Sequence, residues 1–124
     1  MQKKIMIVDD DSDILIAFRE IFEKEGYKVY TVDCGMDCVK EIERGFIGVI
    51  LMDLMMPFMD GWETIKEIKK KGLTKNIKIS IITAKGCIDN EKIKEFSPYI
   101  FDYITKPIEL QKLLVNVKKL FNSQ

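Results

Sequence analysis

Five short apolar runs, Lys4 to Val8, Lys28 to Val32, Val49 to Met52, Lys78 to Ile82 and Ile100 to Ile104, alternate along the chain with segments of helical period. Their β-branched residues make them strands, and the lack of polar alternation in runs such as Ile5-Met6-Ile7-Val8 marks burial on both faces. Between them, apolar residues recur at helical spacing: Ile14, Leu15, Phe18, Ile21 and Phe22 after Ser12; Val39 and Ile42 between Gly35 and Gly45; Ile65 and Ile68 after Asp60. The last helix carries Leu110, Leu113, Leu114, Val117, Leu120 and Phe121 on one face. Ser12 suits an N-cap and Gly26 a stop for the first helix. Asp60 with Glu63 three residues on has the pattern of a capping box, and Gly72 closes that helix. The weakest helical signal lies between Lys85 and Tyr99, where Ile93 and Phe96 suggest a short helix before Pro98. Strand and helix alternating five times predict a parallel sheet covered on both faces and joined by right-handed crossovers, a doubly wound α/β sandwich. At 124 residues, positions 1–124 are expected to form one domain.

In such sheets the ligand site lies outside the carboxyl ends of the strands. Polar residues stand at four of the five ends: Asp9-Asp10-Asp11, Asp53, Thr83 and Lys106. Asp53 is the sharpest of these, alone in the run Val49-Ile50-Leu51-Met52-Asp53-Leu54-Met55-Met56-Pro57. A carboxylate closing a buried strand loses hydration, so a cation, a hydrogen-bond network or a chemical task must hold it there. Several carboxylates brought together raise one another's pKa unless a cation joins them. Hard oxygen ligands point to Mg²⁺, which takes one or two protein carboxylates together with phosphate oxygens. Lys106 can meet a phosphoryl oxygen as a point charge and the Thr83 hydroxyl can donate to another, leaving Asp53 as the nucleophile that forms an acyl phosphate. Asp11 is expected to be a solvated helix-entry residue rather than a further ligand.

Composition removes competing chemistries. Lys plus Arg and Asp plus Glu balance at 20 each, which argues against nucleic acid or membrane as the main partner. No run approaches the roughly 20 apolar residues of a membrane span, and the first apolar stretch is too short for a signal peptide, so a cytoplasmic protein is expected. The three cysteines, Cys34, Cys38 and Cys87, lack a paired pattern and are expected to be small packed thiols. The absence of histidine excludes the usual general base, histidine metal sites and any role as a phosphohistidine donor.

The acidic pair after the first strand, the Asp closing the third, the following Met-Met-Pro and Met-Asp-Gly, Thr83-Ala84, and Tyr103-Ile104-Thr105-Lys106-Pro107 together resemble the receiver domain of two-component response regulators, from Lys4 to Phe121. The resemblance implies a flavodoxin-like fold, five parallel strands in order 2-1-3-4-5 with five helices. It implies that Asp53 accepts the phosphoryl group, that Asp9 and Asp10 bind Mg²⁺ together with Asp53 and the Met55 backbone carbonyl, and that Asp10 is a direct ligand. Thr83 and Lys106 resemble the switch hydroxyl and the site lysine, and Tyr103 the aromatic that turns inward after phosphorylation. Pro107 would follow a cis peptide that aims Lys106 at the site. The implied donor is a histidine kinase or histidine phosphotransfer protein, with self-catalysed transfer and autodephosphorylation but no other enzymatic activity. The implied output is a changed surface over the fourth helix, fifth strand and fifth helix, read by a downstream protein, with the chain a monomer or a phosphorylation-dependent dimer. Met55 and Lys85 are expected to affect dephosphorylation rate.

One departure stands out: where receivers commonly carry Gly-Ala before the aromatic, this chain has Tyr99-Ile100 preceded by Pro98, so a bulkier loop is expected there. Two other activities fit parts of the pattern. A receiver-like interaction module would need no phosphorylation. A Mg²⁺-dependent aspartyl phosphohydrolase usually has a second acid two residues after its nucleophile, where this chain has Met55.

Overall fold

The computed structural model describes residues 2–84 and 89–122. In chain order the elements are β1 (Lys4–Val8), α1 (Ser12–Lys24), β2 (Lys28–Val32), α2 (Gly35–Glu43), β3 (Gly48–Asp53), α3 (Gly61–Lys70), β4 (Ile77–Ala84), α4 (Asn90–Phe96), a 3₁₀ turn at Ser97–Tyr99, β5 (Ile100–Lys106) and α5 (Leu110–Asn122). All strands are parallel, in the order β2-β1-β3-β4-β5. The expected doubly wound, flavodoxin-like sheet is therefore present.

The continuous apolar runs follow from burial on both faces. Ile5, Ile7, Val49 and Leu51 point to one layer with Phe18 and Phe22 of α1 and Leu113, Val117 and Leu120 of α5. Met6, Val8, Ile50 and Met52, the alternate positions, point to the other layer with Val39, Ile42, Ile65, Ile68 and Phe96. Period-two alternation sends neighbours to opposite faces, and each face meets helices. The Trp62 and Phe96 rings stack at 5.6 Å between centroids, tying α4 to α3.

Local signals set the helix ends with two corrections. Asp11, not Ser12, caps α1, its carboxylate accepting the Asp13 N–H at 2.9 Å, because a charged acceptor outcompetes a hydroxyl for free N-terminal donors. Leu110, placed by periodicity on the apolar face of α5, is 40% exposed; it opens the helix, and the buried stripe begins at Leu113. The Asp60–Glu63 capping box forms in both directions, at 2.8 and 3.1 Å. β4 and β5 also run further than their apolar stretches, pairing Thr83 with Thr105 and Ala84 with Lys106. A backbone ladder needs no apolar side chains, so polar residues at a strand's mouth do not end it.

Candidate functional site: an acidic cluster at the carboxyl ends of the strands

The carboxyl end of β1 and the end of β3 bring three acids together. Ligand oxygens of Asp9, Asp10 and Asp53 all lie within 4.8 Å of one another, with Asp9 and Asp53 buried and Asp10 exposed. Both buried acids are oriented in the same way, by the backbone two residues on: Asp9 Oδ1 accepts the Asp11 N–H at 2.9 Å and Asp53 Oδ1 accepts the Met55 N–H at 3.0 Å. Asp side chains favour this short-range bond where a chain leaves regular structure. An Asp at each strand end is the sequence signal for this bond.

Charge at the cluster is unbalanced. Lys106 Nζ lies 3.8 Å from Asp53 Oδ2, one ammonium against three carboxylates among the described residues. Burial pushes the Asp9 carboxyl above the usual carboxylate range; the Asp11 N–H and Lys106 oppose this, while Asp53 and Asp10 reinforce it. All-oxygen donors, two of them desolvated and in net negative surroundings, fit a hard divalent cation such as Mg²⁺. A second group with equally close ligand atoms, Asp33, Cys34 and Asp37, is largely exposed and mixes sulfur with oxygen, a poorer match to such an ion.

The segment from β3 to α3 doubles back tightly. Gly61 N–H donates to the Leu54 carbonyl at 3.0 Å, and a Cβ at Gly61 would lie 2.9 Å from Leu54 Cα and 3.0 Å from the Asp53 carbonyl oxygen. Only glycine permits that approach. Met55 is 60% exposed in this segment.

The other strand ends supply hydroxyls. Thr83 is fully buried, and among the described residues its hydroxyl makes only a long 3.4 Å contact to the Ala84 carbonyl. Tyr103 is half-buried with its phenolic oxygen inside and without a hydrogen-bond partner among the described residues; burial raises its pKa. The phenol is thus inward in this structure. The Lys106–Pro107 peptide is cis, as the resemblance implied. Lys85 and Cys87 lie outside the described residues. Around Tyr99-Ile100 the 3₁₀ turn carries Pro98, and Ile100 is buried as β5 begins.

Comparison with known proteins agrees with this geometry. The family described as response regulator receiver domain matches residues 5–118. Sporulation initiation phosphotransferase F of Bacillus subtilis is 32% identical over 120 residues, covering 96% of this chain and 94% of that protein. Among solved structures, a CheY-like response regulator receiver domain protein from Methanospirillum hungatei superposes with a TM-score of 0.88 at 36% identity, covering 99% of this chain and 100% of the other. A receiver domain protein from Clostridium thermocellum gives 0.84 at 29% identity, over 97% of this chain and 94% of the other. No helix of the described residues is long and apolar enough to cross a membrane. The chain belongs to the response regulator receiver domain family of two-component signalling.

Proposed function

We propose that residues 1–124 act as one phospho-accepting receiver domain, taking a phosphoryl group onto Asp53 from a phosphohistidine of a partner kinase or phosphotransfer protein. The observation that carries this is the convergence of Asp9, Asp10 and Asp53 within 4.8 Å, with Lys106 at 3.8 Å from Asp53. The named phosphotransferase relative supports a place in a phosphorelay.

A carboxylate oxygen of Asp53 attacks phosphorus, a P–O bond forms as the P–N bond to the donor imidazole breaks, and that nitrogen takes up a proton. The Met55 N–H, already on Oδ1, keeps the carboxylate oriented during attack. Lys106 moves its charge from the carboxylate to a phosphoryl oxygen, and Thr83 donates to another. Mg²⁺, held by Asp9, Asp10, Asp53 and the Met55 carbonyl, would neutralise charge on the transferring group. Water later attacks the same phosphorus, releasing phosphate and restoring the carboxylate; Met55 and Lys85 affect the rate of that step in this reading. Thr83 and Tyr103 then carry the change to the surface of α4, β5 and α5, where a downstream protein reads it. The remaining partner expectations follow: no nucleic acid or membrane contact, a cytoplasmic setting, and a monomer or a dimer formed on phosphorylation.

Intact-mass analysis after incubation with acetyl phosphate tests the reading. A gain of one phosphoryl group on wild type that requires Mg²⁺ and is absent from Asp53→Asn is expected. No gain on wild type under any condition would instead favour a binding module that works without phosphorylation.

A further inference from the structure

We propose that Phe58 is an apolar anchor for the protein that delivers the phosphoryl group, seating in an apolar pocket beside that partner's phosphorylated histidine. The inference rests on the phosphoacceptor reading and adds the chemistry of the partner's contact. Phe58 lies five residues after Asp53, in the segment joining β3 to α3. Its φ is 66°, and the Met59 N–H donates to the Pro57 carbonyl at 2.7 Å, closing a three-residue turn around it. A left-handed backbone disfavours a bulky side chain; Gly, Asn or Asp adopts it more readily. Phe58 is the sole non-glycine residue with positive φ among those described.

The ring gains no burial in return. Phe58 is 105% exposed, whereas Phe18, Phe22, Phe46 and Phe96 are buried. Strain that holds a side chain in an otherwise unfavourable place points to a use for that place. Exposed Met55 adds a second apolar side chain to the same segment, and its N–H donates to Asp53, the acceptor two residues before it.

The occupant follows from the chemistry of the donor. The chain has no histidine, so a second copy cannot supply a phosphoimidazole and another protein must. That protein has to bring its imidazole to Asp53, which is 6% exposed, and so extends over the segment leaving β3. Within that segment Phe58 is the most exposed apolar side chain. Rigid aromatic side chains that fill a partner's pocket concentrate binding energy near the centre of an interface.

The test measures two rates on wild type, Phe58→Gln and Phe58→Leu. One is transfer from whichever phosphorylated histidine kinase of the source organism labels wild type fastest; the other is labelling by acetyl phosphate. Gln retains the backbone penalty and loses the apolar group, while Leu retains both. The ratio of the two rates is expected to fall about tenfold for Gln, equivalent to about 1.4 kcal/mol, and to stay within threefold of wild type for Leu. An unchanged ratio for Gln overturns the proposal, whether both rates fall together or neither moves and only the oligomeric state changes. A wild-type chain labelled by acetyl phosphate but by no phosphohistidine protein also overturns it. Failure of acetyl phosphate to label wild type would instead defeat the phosphoacceptor reading beneath it.

Discussion

The β1–β3 half of the site and the β4–β5 half hold their polar groups differently. Asp9 and Asp53 each receive a short backbone bond from two residues on, at 2.9 and 3.0 Å. Across the sheet, Thr83 has only a 3.4 Å contact, and the buried Tyr103 Oη and, three residues before Thr83 in β4, Ser80 Oγ have no partner, all among the described residues. The acids depend on local backbone that the chain cannot leave without unmaking its own turns. The hydroxyls sit within strands whose ladders already use the backbone groups, so they need tertiary partners. One half is organised around charge, and the other retains hydrogen-bonding capacity that a different arrangement can use. The first half should therefore be brittle toward backbone change, and the second should gain stability when a hydroxyl is removed.

Gly61→Ala tests the brittle half and carries the largest expected effect on stability. Alanine is the better helix former, by up to about 1 kcal/mol, yet its Cβ would meet Leu54 Cα at 2.9 Å and the Asp53 carbonyl at 3.0 Å. Overpacking against backbone outweighs propensity, and a net loss of about 2 kcal/mol is expected in urea unfolding. A midpoint at or above wild type would show that the end of β3 yields easily, and the contrast between the halves would fail.

Much of this division was legible in the residues. The acids, the capping box and the helix-closing glycines act through neighbours in sequence, so spacing alone exposes them. The strand runs were visible because burial on both faces leaves no polar alternation. What escaped was set by position in three dimensions. Ser12 lost the α1 cap to Asp11, a competition between adjacent acceptors that turns on backbone geometry. Leu110 fits the helical period but extends past the layer that covers α5. The left-handed turn at Phe58 is invisible to hydropathy, since a phenylalanine between Pro57 and Met59 resembles any apolar loop residue. Ser80 sits in a strand that reads as ordinary, and only tertiary packing leaves its hydroxyl buried and without a partner among the described residues.

Ser80→Ala sharpens the comparison from the other side. Ser80 is fully buried in β4, and its hydroxyl gave up hydration without gaining a partner among the described residues. An unsatisfied buried polar group costs roughly 1–3 kcal/mol, against a small loss of packing and β-propensity on shortening the side chain. A gain of about 1 kcal/mol in urea unfolding is expected. A loss of similar size would mean that Ser80 is satisfied in solution and the hydroxyl half is held as firmly as the acids.

Tyr103→Phe should have the smallest effect at neutral pH and the clearest dependence on pH. The residue is only half-buried, so removing its oxygen, which has no partner among the described residues, should raise stability by about 0.5 kcal/mol at pH 7. Burial raises the phenol's pKa above its ordinary 10.0, which means that the folded state favours the neutral form. The unfolded chain then releases its proton first as pH climbs. Stability from this preference is fully present below pH 10.0 and is lost as pH rises through the raised folded value. Phenylalanine has no proton to release, so the variant's advantage over wild type should widen above pH 10.0, read as the difference in urea midpoints between pH 8 and the alkaline end. Parallel pH curves for the two proteins would place the phenol in water in both states, and Tyr103 would leave the group of buried hydroxyls that separates this half of the site from the acids.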